Sequence, residues 1–471
     1  MTKKQREIRD PIHGFIQRSA KEEKIIDLPV FQRLRGIKQL AMANLVYPGA
    51  LHTRFGHSLG VMHIVGKLAE RLEVEEDGRI FIRLAALLHD IGHGPFSHVS
   101  ENILDKYNKS EVNPKSKEKI HELITSEIIQ KNSELGSILS EDDRKQIVGY
   151  LQGQSGESVV KDIISGPLDG DKQDYLLRDS YYCGVKYGIF DIDRLVGTLE
   201  AYQQEHDHIL AVSKDGLYVI EQFVLAKYHM TTQVYRHRIR LISDAMITRA
   251  LELGIDVDKL EFLKKLYFYD GTQEFIDNYI EWDDARLSNE ILFHGSEGYA
   301  KDIFQMLKQR KLLKVVFSKP IREFTAELEF TAEDRYLLSR LSNMPDLRKK
   351  IEKETARCLS DNMNTIDPNY VIMNTVSIKS VREQSRNNEG PILILKSDGQ
   401  PRIFEDESTL FRSINESESD AFIEIYAPVL PEEEVGKLKR RDKHQNLIHE
   451  IIHDIIKTSN DDQLEQKGEQ P

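Results

Sequence analysis

Cysteine is nearly absent. Only Cys183 and Cys358 occur among 471 residues, too few for a disulfide framework or a cysteine zinc site, and their scarcity points to a reducing compartment. Long apolar runs are also missing. No stretch approaches the roughly 18 apolar residues that a bilayer crossing needs. The basic start Met1-Thr-Lys-Lys-Gln-Arg has no apolar segment behind it, so neither a membrane span nor a signal peptide is expected and a cytoplasmic protein is. Positive charge is in deficit, with 65 Lys and Arg against 78 Asp and Glu and a net charge of −13. That balance argues against a dedicated DNA binder. It still permits a local basic pocket for a small anionic substrate.

The fold expected is mainly α, with a smaller α+β C-terminal lobe. Residues 24 to about 315 read as mostly helical. Apolar residues recur at helical spacing in Val61-Ile64-Leu68, in Ile82-Leu84-Leu87-Leu88 and in Ile239-Ile242-Ile247. Loops are marked by polar or Gly/Pro clusters at 46–54, 105–118, 152–170 and 384–390. Composition shifts after about 325. Tyr370-Val-Ile-Met reads as a short strand. Pro391-Ile-Leu-Ile-Leu and Arg402-Ile-Phe read as a hairpin turning at Asp398-Gly399, and Ala421-Phe-Ile-Glu-Ile-Tyr alternates like a half-buried strand. A last helix carries Ile448, Ile451, Ile452 and Ile455 on one side. The expected division is a core at 1–325, the lobe with its terminal helix at 326–457, and a disordered polar tail at 458–471. The basic run 437–443, preceded by Glu432 to Glu434, reads as a solvated helical face.

The chemistry concentrates in Leu87-Leu88-His89-Asp90-Ile91-Gly92-His93-Gly94. An apolar helix runs into two adjacent metal-ligand types there, and buried ionisable groups are costly unless paired or bound to metal. His57 precedes Val61, Ile64 and Leu68 by four, seven and eleven residues, which puts it on their buried face. Asp171 opens a further helical run. A lone buried histidine is usually a hydrogen-bonded core residue, and a His-Asp pair arises often by chance. His57, His89, Asp90 and Asp171 together, with Gly92 and Gly94 allowing close backbone approach, favour one divalent ion. Two imidazoles and two carboxylates suit Fe, Mn, Zn or Mg, with positions left open for water and a phosphate oxygen.

These residues also carry a resemblance. Asp10-Pro-Ile-His-Gly, Ile26 to Leu40, Tyr47-Pro-Gly-Ala, Arg54-Phe-Gly-His-Ser-Leu-Gly60, His89 to His98, Asp171 to Asp179 and Tyr235-Arg-His resemble the HD-domain phosphohydrolases. They resemble most closely the deoxynucleoside triphosphate triphosphohydrolases, and they span about residues 8 to 250. The match begins too near Met1 to leave room for the sterile alpha motif of the vertebrate members. The resemblance implies an HD-domain helical core and the same four metal ligands, with an additional Mg²⁺ accompanying the nucleotide. It implies that Arg54, Lys172 and Lys227 hold phosphates, Lys227 replacing a common arginine and so losing the bidentate fork. Gln39 and Asp179 would bond the sugar 3′-hydroxyl. Leu40, Tyr175 and Tyr235 would crowd the 2′ position. Each has a plainer reading, as an ion-paired, surface or packing residue.

The expected reaction is metal-dependent hydrolysis of a deoxynucleoside triphosphate to deoxynucleoside and tripolyphosphate. His98 is the candidate general acid. Glu101 stands where the family commonly has a supporting aspartate. His93 and His121 would contact phosphates. The resemblance further implies a homo-oligomer, dimer or tetramer, and a guanine nucleotide effector read by Asp27, Gln32 and Arg35. For Asp27 an equal alternative is the N-cap of a helix starting at Leu28-Pro29. The competing functions are an HD phosphodiesterase or nuclease acting on a cyclic nucleotide or single-stranded nucleic acid, and a non-catalytic nucleotide sensor.

Overall fold

The computed structural model describes residues 6–108, 120–154, 156, 158–294, 297–327, 331–341, 344–360, 364–378, 390–414, 420–428 and 437–468. The chain divides into two units, the first built from 1–240, 254–296 and 381–416, the second from 241–253, 297–380 and 417–471. Among the described residues no helix is long and apolar enough to cross a membrane.

The first unit opens with an antiparallel hairpin, β1 (Glu7–Asp10) and β2 (Gly14–Gln17). Helix α1 (Ala20–Ile26) starts at a capping box between Ser19 and Glu22, which satisfies two of the donors a helix N-terminus leaves open. Asp27 closes this helix, and the next turn, Pro29–Gln32, has Leu28 at its N-cap without a side-chain bond. The N-cap reading of Asp27 is therefore wrong by one residue, because Asp27 is spent ending α1.

Helices α2 (Arg54–Arg71) and α3 (Glu76–Leu88) form the centre of the unit and pack against one another. Val61, Ile64 and Leu68 on α2, and Ile82, Leu84, Leu87 and Leu88 on α3, are all buried. Each such side chain contributes about 1.5–3 kcal/mol relative to exposure. Around them lie α4 (His98–Tyr107), α5 (Ile120–Lys131) and α6 (Gly170–Cys183). Helix α6 begins where the Asp169 side chain accepts from the Lys172 backbone N–H and ends at Gly184 with φ +70°, the left-handed C-terminal stop that glycine adopts without strain.

A four-stranded sheet completes the unit. Its order is β3 (Leu199–Gln204), β4 (Asp207–Val212), β7 (Leu393–Leu395) and β8 (Pro401–Ile403). Between β4 and the later strands come α7 (Leu217–Met230) and α8 (Arg238–Asp256). The expected hairpin around Asp398-Gly399 is β7–β8, with Gly399 at φ +74°. The β3–β4 hairpin lies inside the stretch expected to be helical. Val212 of β4 then pairs in parallel with Ile394.

In the second unit, β9 (Asp420–Ala427) runs between β5 (Lys314–Pro320) and β6 (Ile372–Ile378), antiparallel to both. Helices α9 (Pro345–Leu359) and α10 (Lys437–Gly468) pack on one another. Phe317, Ile351, Ile423, Ile425, Ile448 and Ile452 share one buried core. Arg249 and Glu352 pair inside it at 2.5 Å, and Glu352 also accepts from the Met373 N–H at 3.0 Å.

Strand β5 bonds to β9, so residues 297–325 belong with the second unit. Strands β7 and β8 return the chain to the first unit. Helix α10 runs to Gly468, through most of the expected tail. Its side chains at 437–443 and from 460 onward lie outside the described residues, as do Glu432 to Glu434 and 384–389 of the expected loop.

Helices α2 and α6 meet at Gly60. A Cβ there would overlap the Asp174 carboxylate and lie 2.5 Å from Arg178 Nη2. Both partners are buried and mutually bonded, so neither can swing away. Gly60→Ala is expected to cost at least about 2 kcal/mol, read as a lowered midpoint in urea or heat. An unchanged midpoint would show that the helices separate freely at this contact.

Candidate metal centre and nucleotide cavity

His57 projects from the first turn of α2 and is 1% exposed. His89 caps the end of α3, and Asp90 follows it into the tight turn 90–94. Asp171 sits in the first turn of α6. Three chain-distant segments thus meet. His57 Nε2 lies 2.9 Å from Asp171 Oδ1 and 3.7 Å from Asp90 Oδ2. His89 Nε2 lies 3.2 Å from Asp90 Oδ1 and 3.9 Å from Asp171 Oδ1. His57, His89 and Asp90 each bring one donor atom within 4.8 Å of the others, a spread near the roughly 3–4 Å between ligands of one ion, and Asp171 Oδ1 lies beside both imidazoles.

The outer nitrogens say the same. His57 Nδ1 bonds to Asp174 Oδ2 at 2.8 Å and His89 Nδ1 to the Ala86 carbonyl at 2.8 Å. Both Nε2 atoms are buried and make no aligned hydrogen bond. Imidazoles fixed at Nδ1 with Nε2 turned toward neighbouring carboxylates have the orientation of metal ligands. The donor set therefore fits a divalent cation.

The glycines of the turn are there for space. A Cβ on Gly92 would lie 2.5 Å from the Thr125 backbone N and 2.6 Å from the His121 carbonyl, so α5 can approach only bare backbone. Phe96 and Ser97, just before α4, have φ of +60° and +53°, a strained region for residues other than glycine. The strain is held by bonds from the Phe96 N–H to Asp284 at 2.7 Å and from Ser97 Oγ to the Lys38 carbonyl at 2.7 Å.

Arg54 is almost wholly buried. Its Nη1 pairs with Asp90 at 2.5 Å and its Nε donates to Ser97 Oγ at 2.8 Å. Its Nη2 is buried without a partner among the described residues. Burial disfavours the charged Asp90 carboxylate, but Arg54, His89 and His93 outweigh it and hold its pKa well below the usual range. Lys172 is held at 2.7 Å by Asp169, whose pKa burial pushes up against the attraction of that lysine.

Glu101 is the hub of the expected catalytic histidines. It lies 2.8 Å from His98 Nδ1, 2.9 Å from His93 Nδ1 and 3.5 Å from His121 Nδ1. Burial alone would raise its pKa, but His93 and His98 hold it far below the usual range. His93 also reaches Asp90 at 3.0 Å and stacks on His121 at 4.6 Å.

A cavity of about 610 Å³ joins these groups. Gln39, Arg54, His89, Asp90, His93, His98, Glu101, His121, Asp171, Lys172 and Tyr175 all line it. Leu40, Asp179, Lys227 and Tyr235 are not on that lining. Leu40 and Lys227 are buried, and Asp179 accepts from the Tyr235 hydroxyl at 2.7 Å. Tyr235 packs edge-on to Tyr175, with centroids 6.1 Å apart. Asp27 and Arg35 are exposed and Gln32 half-buried. Arg35 lies 3.6 Å over the Phe55 ring and donates to Gln32 Oε1 at 2.7 Å.

The sequence reading missed the support behind His57. Asp174 accepts from His57, from His13 Nε2 at 2.6 Å, and from Arg178 at 2.8 and 2.9 Å, while Arg178 also reaches Asp10 at 2.9 Å. The signals were present as Asp10-x-x-His13 and Asp171-x-x-Asp174, but only the hairpin turn brings the first beside the second.

Burial lowers the His57 pKa, yet Asp171 and Asp174 outweigh it and raise it to about 10. Below that pH the metal-free ring holds a proton that a cation must displace. Mn²⁺ affinity is therefore expected to rise with pH up to about 10, with about one proton released per ion bound at pH 7.5. Calorimetry in two buffers of different ionisation enthalpy measures the release; a value of zero would mean Nε2 is already bare.

Two family models match the chain. The HD domain covers residues 54–179, and the HD associated region covers residues 190–442, more than half of the sequence. An uncharacterized protein of Methanocaldococcus jannaschii is 39% identical over 254 residues, 54% of this chain and 51% of that protein. Deoxynucleoside triphosphate triphosphohydrolase SAMHD1 of Gallus gallus is 32% identical over 65% of this chain and 55% of its own length. The chain thus spans about half the length of these two relatives. A hypothetical protein from Aquifex aeolicus, known from its crystal structure, superposes with a TM-score of 0.64 at 30% identity, over 90% of this chain and 96% of that one. Beside the two-histidine, two-aspartate cluster just described, these matches place the chain in the HD-domain family, as an HD domain followed by its associated region.

Proposed function

We propose that the chain hydrolyses deoxynucleoside triphosphates to deoxynucleoside and tripolyphosphate. The observation that carries this reading is that one cavity is lined by the metal ligands His89, Asp90 and Asp171, by Arg54, and by Gln39 and Tyr175. Metal, phosphate and sugar functions then share one space. Its volume of about 610 Å³ is in the range that holds a single small ligand, about 300–1,000 Å³. The SAMHD1 name of a relative supports the same substrate class.

His57, His89, Asp90 and Asp171 would hold a divalent cation. When bound, it supplies Lewis acidity to a phosphoryl oxygen and acidifies water. The protein groups do the rest. Arg54, fixed by Asp90 and Ser97, presents Nη2 to a phosphate. Lys172 adds positive charge to the cavity wall, partly offset by Asp169. Glu101 accepts from His98 Nδ1, which leaves Nε2 to carry the proton for the 5′ leaving oxygen. Glu101 is held far below the usual carboxylate range by His93 and His98, so it stays an acceptor for that ring. Gln39 takes the sugar 3′-hydroxyl at the cavity wall with Asp179 behind it, and Tyr175, backed by Tyr235, occupies the space a 2′-hydroxyl would need.

Incubation with each dNTP, each NTP and a labelled oligonucleotide, with products identified by mass, tests the reaction. Tripolyphosphate is expected from dNTPs. His89→Ala and Asp90→Ala are expected to lower turnover by at least about a hundredfold, as removal of a main charge stabiliser does. Undiminished turnover in either variant would refute the metal assignment, and cleavage of the oligonucleotide alone would move the reading to a nuclease.

The preformed Gln32–Arg35–Phe55 group supports a regulatory reading in which Asp27, Gln32 and Arg35 take a guanine nucleotide and the chain assembles as a homo-oligomer. Added dGTP is then expected to raise the rate on a second dNTP by about fivefold or more and to increase the mass in solution. A titration that changes neither removes this reading.

A further inference from the structure

Asp179 is bonded on both oxygens. Its Oδ2 accepts from Tyr235, and its Oδ1 lies 2.7 Å from Nε2 of His52. His52 was not among the residues that the sequence singled out. It is 6% exposed, and its ring stacks on Tyr182 with centroids 4.7 Å apart and planes inclined by 17°. Its Nδ1 is buried without a partner among the described residues. Such an imidazole is costly to keep unless its one bond matters.

The backbone of His52 does a second job. Its carbonyl accepts from the Gln39 N–H at 3.0 Å. Gln39 lines the cavity, and its Oε1 is buried without a partner among the described residues. One residue therefore fixes both groups assigned to the sugar 3′-hydroxyl, Gln39 through the main chain and Asp179 through the ring. The relay continues outward. Burial, and then the Asp179 charge, push the Tyr235 hydroxyl well up, so it stays a donor to Asp179. Tyr235 in turn packs edge-on to Tyr175 at the cavity wall.

We propose that His52 is a positioning residue that sets the sugar specificity of the cavity. It orients Asp179 toward a 3′-hydroxyl and, through Asp179, locks Tyr235 in the place that excludes a 2′-hydroxyl. This rests on the nucleotide reading above and names what that reading lacks, the group that makes the sugar slot rigid. A carboxylate oxygen has two acceptor sites, so Asp179 can keep both internal bonds while it receives the substrate hydroxyl.

The test compares a dNTP with its 2′,3′-dideoxy analogue and with the matching NTP, in the wild type, His52→Phe and His52→Gln. Phenylalanine keeps a ring to stack on Tyr182 and removes the bond to Asp179. Glutamine brings back an N–H donor near the Nε2 position. His52→Phe is expected to raise KM for the dNTP more than it lowers kcat. Both preferences, dNTP over dideoxy analogue and dNTP over NTP, are expected to shrink by about tenfold or more, the worth of a lost charged hydrogen bond. His52→Gln is expected to restore part of each ratio, and bound metal per chain should stay at the wild-type level in all three. A His52→Phe enzyme with wild-type ratios overturns the proposal while leaving the reaction intact. A uniform loss on all three substrates that glutamine does not relieve, or loss of metal, also overturns it, because His52 would then be structural. A wild-type protein that turns over no nucleotide overturns the nucleotide reading itself, and this proposal with it.

Discussion

One buried carboxylate organises the first unit. Asp174 receives N–H donors from His57, His13 and two nitrogens of Arg178, which saturates a group that would otherwise be very costly to bury. Burial alone would protonate it, but Arg178 and the two histidines hold its pKa well below the usual range. The consequence reaches outward in three directions. His57 is fixed in ring orientation, so its free nitrogen faces Asp90 and Asp171. The N-terminal hairpin is tied down through His13 and through Asp10 on Arg178. Helices α2 and α6 must meet at a residue without a side chain. Stability and the geometry of the candidate metal centre are thus one arrangement, and neither can be altered alone.

The acidity of the chain and the chemistry of the cavity are reconciled locally. Beside the candidate metal centre Arg54 is matched to Asp90 and Lys172 to Asp169, and Glu101 and Asp171 add negative charge to the wall. The cavity is therefore closer to balanced than to strongly basic. A phosphate would be recognised by rigid, partly satisfied donors and not by a broad positive field. Donors held in place before the ligand arrives lose little freedom when it binds, which is the favourable case for discrimination among anions of similar charge.

Much of this was legible in the sequence, and unevenly so. The helices carrying His57 and His89 could be read because their apolar faces repeat every three or four residues and nothing interrupts them. The β7–β8 hairpin could be read because Asp398-Gly399 supplies a turn between apolar runs. The β3–β4 hairpin could not, since Leu199 to Val212 has mixed polarity and its pairing depends on distant Ile394. At the site, His89-Asp90 announces itself by an ionisable pair at the end of an apolar helix. His52, His13 and Asp174 do not. Each is an ordinary polar residue in its own segment, and its importance comes from a contact with residues more than a hundred positions away. Periodicity reports which face is buried; it carries no information on which buried polar groups face each other.

The return of β7 and β8 to the first unit has a consequence for how the chain is made. The ladder β3-β4-β7-β8 closes only when residues near 403 have left the ribosome, although the candidate metal ligands are complete by residue 171. Until then β4 presents an unsatisfied edge, a template for wrong pairing with other chains. The two units are thus interleaved along the chain, and any split of the gene near residue 325 would sever the sheet and leave that edge bare.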